Sequence, residues 1–214
     1  MRIAVLGTGA VGRALAGRLA ELGHDVVVGT RDVAQTLDKG SKDGTDWSDF
    51  RLVTQADAGS HADVIVNATH GGASVEALTN AGPLDGKVIV DVANPLDFSR
   101  GFPPGLTTTA FDSLGEQIQR AFPGARIVKT LNTVTNQVMI HPDRVAGGDH
   151  TMFVCGNDLE AKAVAIGLLE QMGWRDIRDL GDLTNARGME EYVVLWVRLY
   201  GALGTGDFNV KVVH

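Results

Sequence analysis

The first thirty-one residues, MRIAVLGTGAVGRALAGRLAELGHDVVVGTR, restrict the fold more than any other part of this 214-residue chain. An apolar run, Ile3–Leu6, leads straight into Gly7-Thr8-Gly9-Ala10-Val11-Gly12. An amphipathic segment follows, and a second apolar run, Val26–Val28, ends in Gly29-Thr30-Arg31. Strand, glycine turn, helix and strand in that order make a dinucleotide-binding unit. Gly7 permits the tight bend, Gly9 removes a side chain that would block a pyrophosphate, and Gly12 lets the helix pack close to the first strand. The first helical N–H groups and the positive end of the helix dipole then face the phosphates, which makes Gly7, Thr8, Gly9, Ala10, Val11 and Gly12 candidate cofactor ligands.

The end of the second strand bears on which dinucleotide is bound. An NAD site usually places Asp or Glu there, about 20 residues past the glycines, to accept hydrogen bonds from the ribose. The nearby acid, Asp25, stands at the start of the strand, and Gly29 is expected to leave room where a carboxylate would have been. Thr30 offers a hydroxyl and Arg31 a permanent charge with a planar fork suited to phosphate, a pair that favours NADP. The alternative for Arg31 is a solvated surface residue beside Asp32.

A formal charge of −7 and the absence of a local Lys/Arg cluster argue against a nucleic-acid surface. Cys155 is the sole cysteine, so no internal disulfide or cysteine metal cage can form, which fits a reducing cytoplasm. The N-terminal apolar run is too short for a signal peptide and is already used as a strand. The stretch Tyr192–Leu203 is interrupted by Arg198 and Gly201, so no membrane span is expected.

Further apolar runs recur at helical intervals. Strands are expected at Arg51–Thr54, Asp63–Asn67, Lys87–Val92 and Arg126–Thr130, and helices at Val11–Leu22, Val75–Ala81 and Ser113–Phe122, with a short turn near Gln55–His61. Most of these strands are continuous apolar runs without alternation, the mark of a parallel sheet buried on both faces. Asp38–Asp49 is polar and contains glycine, and reads as an exposed loop; Asn94–Thr109 is a long Pro- and Gly-rich loop of a size that is often functional. Later come a strand at Thr151–Cys155, a helix at Asp158–Met172, a strand near Arg175–Leu180, a long helix from Thr184 to Leu203 capped by Thr184 or Asn185, and a short strand at Phe208–Val212. The fold expected is α/β: a Rossmann-type, doubly wound, mostly parallel sheet over residues 1–145, with a small C-terminal α/β extension, 146–214, that covers the cleft.

Ligands of open parallel sheets sit outside the carboxyl ends of the strands. Three such ends carry small or amide-bearing residues: Asn67-Ala68-Thr69-His70, then Ala93-Asn94-Pro95, then Asn132-Thr133. They are suited to line a flat ring and bond its edges, although Asn, Thr and Gly also favour plain turns. His70 is a candidate general acid, with a structural role as the alternative. Lys129 is either at the end of its strand or a surface charge. His141, His150 and His214 lack neighbours at metal-ligand spacing, His61 and Asp63 point to opposite faces if their strand reaches that far, and no metal site is expected.

Taken together with Val154–Asp158 (VCGND), Leu180–Glu191 (LGDLTNARGMEE) and the terminal GALGTGDFNVKVV, the glycine turn and Gly29–Arg31 resemble the coenzyme F420-dependent NADP oxidoreductases over nearly the whole chain. The resemblance implies that Thr8, Thr30 and Arg31 hold the 2′-phosphate and that Ala68–His70, Asn94–Pro95 and Asn132–Thr133 border nicotinamide and deazaflavin. Gln35 stands where archaeal members carry a further basic residue, and the glycine turn is one residue shorter. It also implies NADP as cofactor, F420 or a flavin-like small molecule as redox partner, and the long C-terminal helix as a substrate wall; by itself that apolar face reads as core or a homodimer seam. Hydride passing between two stacked rings needs no general acid, whereas reduction of a ketone or imine needs a proton donor such as His70 or Lys129. An NADP(H)-sensing module without turnover is the remaining alternative.

Overall fold

The computed structural model describes residues 1–213. In chain order the elements are β1 (Arg2–Leu6), α1 (Ala10–Glu21), β2 (Asp25–Thr30), α2 (Val33–Asp43), β3 (Leu52–Thr54), α3 (Gln55–His61), β4 (Val64–Asn67), α4 (Ser74–Asn80) and β5 (Val88–Asp91). There follow the short pair β6 (Leu96–Asp97) and β7 (Gly105–Leu106), then α5 (Leu114–Ala121), β8 (Arg126–Thr130), α6 (Asn136–Ile140), β9 (Thr151–Gly156), α7 (Leu159–Met172), β10 (Asp176–Asp179) and α8 (Ala186–Leu203). An eight-stranded sheet runs in the order β10-β9-β8-β5-β4-β1-β2-β3. The six strands from β3 to β8 in that row are parallel; β9 pairs antiparallel with β8, and β10 parallel with β9.

The apolar strands are buried on both faces, and a separate core lies on each side. One joins Ile3, Val5 and Val28 to Leu15 and Leu19 of α1, Val138 of α6 and Leu168 of α7. The other joins Ala4, Leu6 and Ile65 to Ala58 of α3, Leu78 of α4, Ile118 of α5 and Met189 of α8. This is the doubly wound Rossmann-type arrangement expected, with the C-terminal segment prolonging the sheet. Strand order reverses between β1 and β4, which opens a crevice at their carboxyl ends.

Three local expectations are corrected. The first half of Asp38–Asp49 belongs to α2: Asp32 caps that helix by accepting from the Gln35 N–H at 2.9 Å, Lys42 pairs with Asp38 one turn back, and Gly44 closes it in the left-handed region. Its polarity and glycine disguised the helix, yet Gly40 is what seats it, since a Cβ there would lie 2.7 Å from Trp47 Cδ1. Phe208–Val212 is not a strand; it follows the start of β9 through single bonds, Thr151 N–H to Val210 O at 2.9 Å and Val212 N–H to Thr151 Oγ1 at 3.0 Å, too few for a ladder. The entry to α8 is capped neither by Thr184 nor by the Asn185 side chain; Asp182 accepts from the Thr184 N–H at the 3₁₀ turn that leads into it. His61 lies in α3 and meets Asp25, and no metal-binding cluster occurs among the described residues.

Candidate active site

A cavity of about 800 Å³ opens at the carboxyl edge of β1, β2 and β4, and Gly7, Thr8, Gly9, Thr30, Arg31, Ala68, Thr69 and His70 all line it. The three glycines divide the work as their positions require. Gly7 has φ +123° and a Cβ there would lie 2.4 Å from Ala68 O; at Gly12 it would lie 2.0 Å from Gly7 O. Gly9, by contrast, has nothing within 4 Å of a built Cβ, so its bareness serves the open cavity and not the packing. Ala10 and Val11 form the first turn of α1, whose N-terminus faces this space.

Arg31 is exposed at the cavity wall, whereas Thr30 is nearly buried with its hydroxyl 2.7 Å from that of Thr36. Gly29 does not leave room where a carboxylate would have been. A Cβ there would lie 2.6 Å from Leu6 Cδ2 and 2.8 Å from Ala58 Cβ, so the space belongs to the packing of α3 on the sheet. Asp25 is far from the cavity, at the opposite end of β2.

The other strand ends are tied into one polar network. The register aligns Leu6, Asn67, Asp91 and Lys129 across β1, β4, β5 and β8, so the row ends in three polar side chains. Asn67 Nδ2 donates to Asp91 Oδ1 at 2.8 Å, and its Oδ1 accepts from the Thr69 hydroxyl at 2.7 Å. Lys129 Nζ donates to Asp91 Oδ2 at 2.8 Å, to Ala93 O at 2.5 Å and to Glu190 Oε1 at 2.9 Å. Glu190, on α8, also accepts from the N–H groups of Leu114 and Gly115 at the start of α5. Lys129 is therefore no surface charge: its side chain is 0% exposed. Burial opposes its charge, but Asp91 and Glu190 outweigh that and hold its pKa above the usual lysine value. Burial raises the Glu190 carboxyl, with Lys129 opposing.

Beyond this network the chain turns sharply. Leu131 takes φ +61°, a left-handed conformation a non-glycine residue adopts at a cost of about 1 kcal/mol or more. Asn132 and Asn94 then bond each other in both directions, Asn94 Nδ2 to Asn132 O at 2.8 Å and Asn132 Nδ2 to Asn94 Oδ1 at 2.9 Å, and Asn132 Nδ2 also reaches Met189 O. Asn132 Oδ1 and Thr133 Oγ1 are buried without a protein partner. Neither residue lines the cavity, so these two oxygens belong to the packed loop behind it. Asn136 donates to Ala10 O at 3.4 Å, which brings this loop to the glycine turn. His70, exposed at the cavity rim, accepts the Gly72 N–H on Nδ1 at 3.3 Å and so caps a 3₁₀ turn, whose Gly71 is pressed against Asn94 and Pro95.

A family model described as NADP oxidoreductase coenzyme F420-dependent matches residues 2–95. A solved structure from Arthrobacter sp. FB24, provisionally described as an F420-dependent NADP-reductase, is 50% identical, has a TM-score of 0.91 and covers 100% of both chains. The chain belongs to the F420-dependent NADP oxidoreductase family. The F420-dependent NADP reductase of Methanocaldococcus jannaschii is 29% identical over 96% of each chain. Metalloreductase STEAP3 of Rattus norvegicus is 30% identical over 88% of this chain but 36% of its own, so this oxidoreductase spans about a third of that relative.

The chain is an NADP-dependent oxidoreductase, and sequence reasoning missed several residues on the wall of its cavity. Arg13, Thr36, Lys39, Thr45, Trp47 and Gln55 also line the cavity. Arg13 follows Gly9, and Lys39 follows Gln35, by one helical turn, a spacing visible once α2 is recognised as a helix. Trp47 had no local signal, because its place depends on α2 folding over it. Cys155 plays no part: burial pushes its thiol up to about 12.

Proposed function

We propose that the protein transfers hydride between NADP(H) and a deazaflavin of the F420 class, with flavin-like rings as the alternative partner. Gly7–Gly12 and the start of α1 would hold the pyrophosphate, Thr8, Thr30 and Arg31 the 2′-phosphate side, and Ala68, Thr69, His70, Ala93, Asn94, Pro95 and Asn132 the nicotinamide side. NADPH, when bound, would supply a hydride to the facing ring, whose ring nitrogen would take the balancing proton from solvent. The chain's part is to hold both rings flat against the strand ends and exclude water.

One observation carries this reading: the cation at the strand ends, Lys129, is locked between two carboxylates with no exposed surface. A raised pKa and no access make it a poor proton donor to a ketone or imine, so the edge is equipped for ring-to-ring transfer. Residues 146–214 serve as an extension that closes the site through Met189 and Glu190. A homodimer is proposed through α8, where Val194, Leu195 and Leu203 are exposed, and a cytoplasmic setting fits the lone buried cysteine.

The deciding assay follows nicotinamide absorbance with NADPH and, in turn, oxidised deazaflavin, FMN and a set of ketones and imines. Oxidation with the deazaflavin or FMN is expected. Oxidation by a ketone or imine alone would replace this function with the reductase one, and tight NADPH binding without any turnover would leave a sensor.

A further inference from the structure

The cavity continues past Arg31 along α2 to Trp47, farther than the residues so far assigned to NADP. Three cations, Arg13, Arg31 and Lys39, line it from three elements: α1, the end of β2 and α2. None has a carboxylate partner in an ion pair among the described residues, while their neighbour Lys42, on the same wall, is paired with Asp38 at 2.6 Å. Acids share this wall, but Asp32 caps α2, Asp38 is paired with Lys42, Asp43 accepts from the Thr45 N–H and Glu76 stands on α4, which leaves the three cations for an anion from outside. Their convergence has a second mark: Asp43 is held below its usual value by its bonds to Thr45, and the charges of both Lys39 and Arg13 add to that. Arg13 is also fixed in place, its guanidinium 5.8 Å from the centre of the Trp47 ring, and Trp47 is held in turn by Gly40 of α2.

We infer that Lys39 and Arg13 are specificity-determining residues for the cofactor's 2′-phosphate, completing with Arg31 a three-cation clamp. The inference rests on the NADP reading of the cavity and extends it to residues outside the glycine turn and the end of β2. Trp47 is the brace: it orients Arg13 and holds the end of α2 near it, so the clamp is assembled by tertiary packing.

The test is binding of two adenosine fragments, 2′,5′-ADP and 5′-AMP, by calorimetry at low salt, with no turnover required. Lys39→Met and Arg13→Met are each expected to weaken 2′,5′-ADP about tenfold and leave 5′-AMP unchanged. Gln35→Lys added to Lys39→Met is expected to restore most of the loss, since the two positions share a helix face. Arg31→Ala serves as the control. If Arg31→Ala weakens 2′,5′-ADP but Lys39→Met and Arg13→Met stay within about twofold of the parent, or weaken both fragments equally, the clamp is overturned while the NADP reading stands. If 2′,5′-ADP binds no better than 5′-AMP to the parent protein, the NADP reading of the cavity falls, and the clamp with it.

Discussion

Lys129 and Glu190 meet inside the protein, Nζ to Oε1 at 2.9 Å, and join the sheet to α8. With Asp91 the trio holds one positive and two negative groups, and the second carboxylate is compensated by the N–H groups at the start of α5. Removing the cation leaves two buried carboxylates facing each other. Lys129→Met is expected to cost about 3–5 kcal/mol in urea unfolding, and adding Glu190→Gln should recover at least about 1 kcal/mol of it. A loss within about 0.5 kcal/mol for the single variant would show that the trio carries no stability.

The contact between α5 and α8 should be acid-labile. Arg187 donates to both oxygens of Glu116, at 2.6 and 2.8 Å, and this holds the Glu116 carboxyl below its usual value of 4.5. A lowered folded-state pKa means stability that is present above the ordinary value and lost as pH falls through the lowered one. Glu190, raised by burial, has the opposite sign: its contribution is present below its ordinary value and lost as pH rises. The measurement is therefore the difference in unfolding free energy between parent and Glu116→Gln across pH 2–7, expected to be about 1 kcal/mol at neutrality and to vanish in acid. A pH-independent difference contradicts the assignment.

Gly9 and Gly12 should fail differently. Gly12→Ala places a methyl 2.0 Å from Gly7 O and is expected to destabilise the fold by about 1–3 kcal/mol, because the turn must open. Gly9→Ala meets nothing within 4 Å and should unfold like the parent, yet bind NADPH at least about tenfold more weakly. Thermal melts and NADPH titrations on both variants separate the roles; unaltered NADPH affinity in Gly9→Ala would remove the pyrophosphate from this turn.

His70 distinguishes ring-to-ring transfer from chemistry that needs an acid. With Nδ1 engaged by the Gly72 N–H, the side chain caps a turn, and hydride transfer does not call on it. His70→Ala is expected to lower kcat by less than about tenfold and to leave its pH profile in place, since a general acid typically supplies about 10²–10⁴. A loss of about a hundredfold, with a vanished limb in the pH–rate profile, would make His70 the acid.

The parts legible in the sequence were those fixed by local pattern. Continuous apolar runs at Ile3–Leu6, Val64–Val66 and Val88–Val90 announced a sheet buried on both faces, and Gly7, Gly9 and Gly12 announced a phosphate turn, because each needs only its own neighbours to declare itself. Where composition misled, a tertiary partner was deciding. Gly40 looked like a loop residue until Trp47 filled the space beside it, and Gly29 looked like the space left by a missing carboxylate until Leu6 and Ala58 occupied it.

The sequence by itself determined a Rossmann-type sheet and a glycine turn at the end of its first strand, and it pointed to NADP through Thr30 and Arg31. Only the tertiary structure decided the state of Lys129, which reads equally as a strand-end residue or a surface charge until β5 and α8 bring Asp91 and Glu190 to it. It also decided that Arg13 and Lys39 share a cavity with Arg31. The reason is physical: strand and turn preferences act between neighbours in the chain, whereas the charge a buried or converging group can hold depends on what distant segments place within a few ångströms of it.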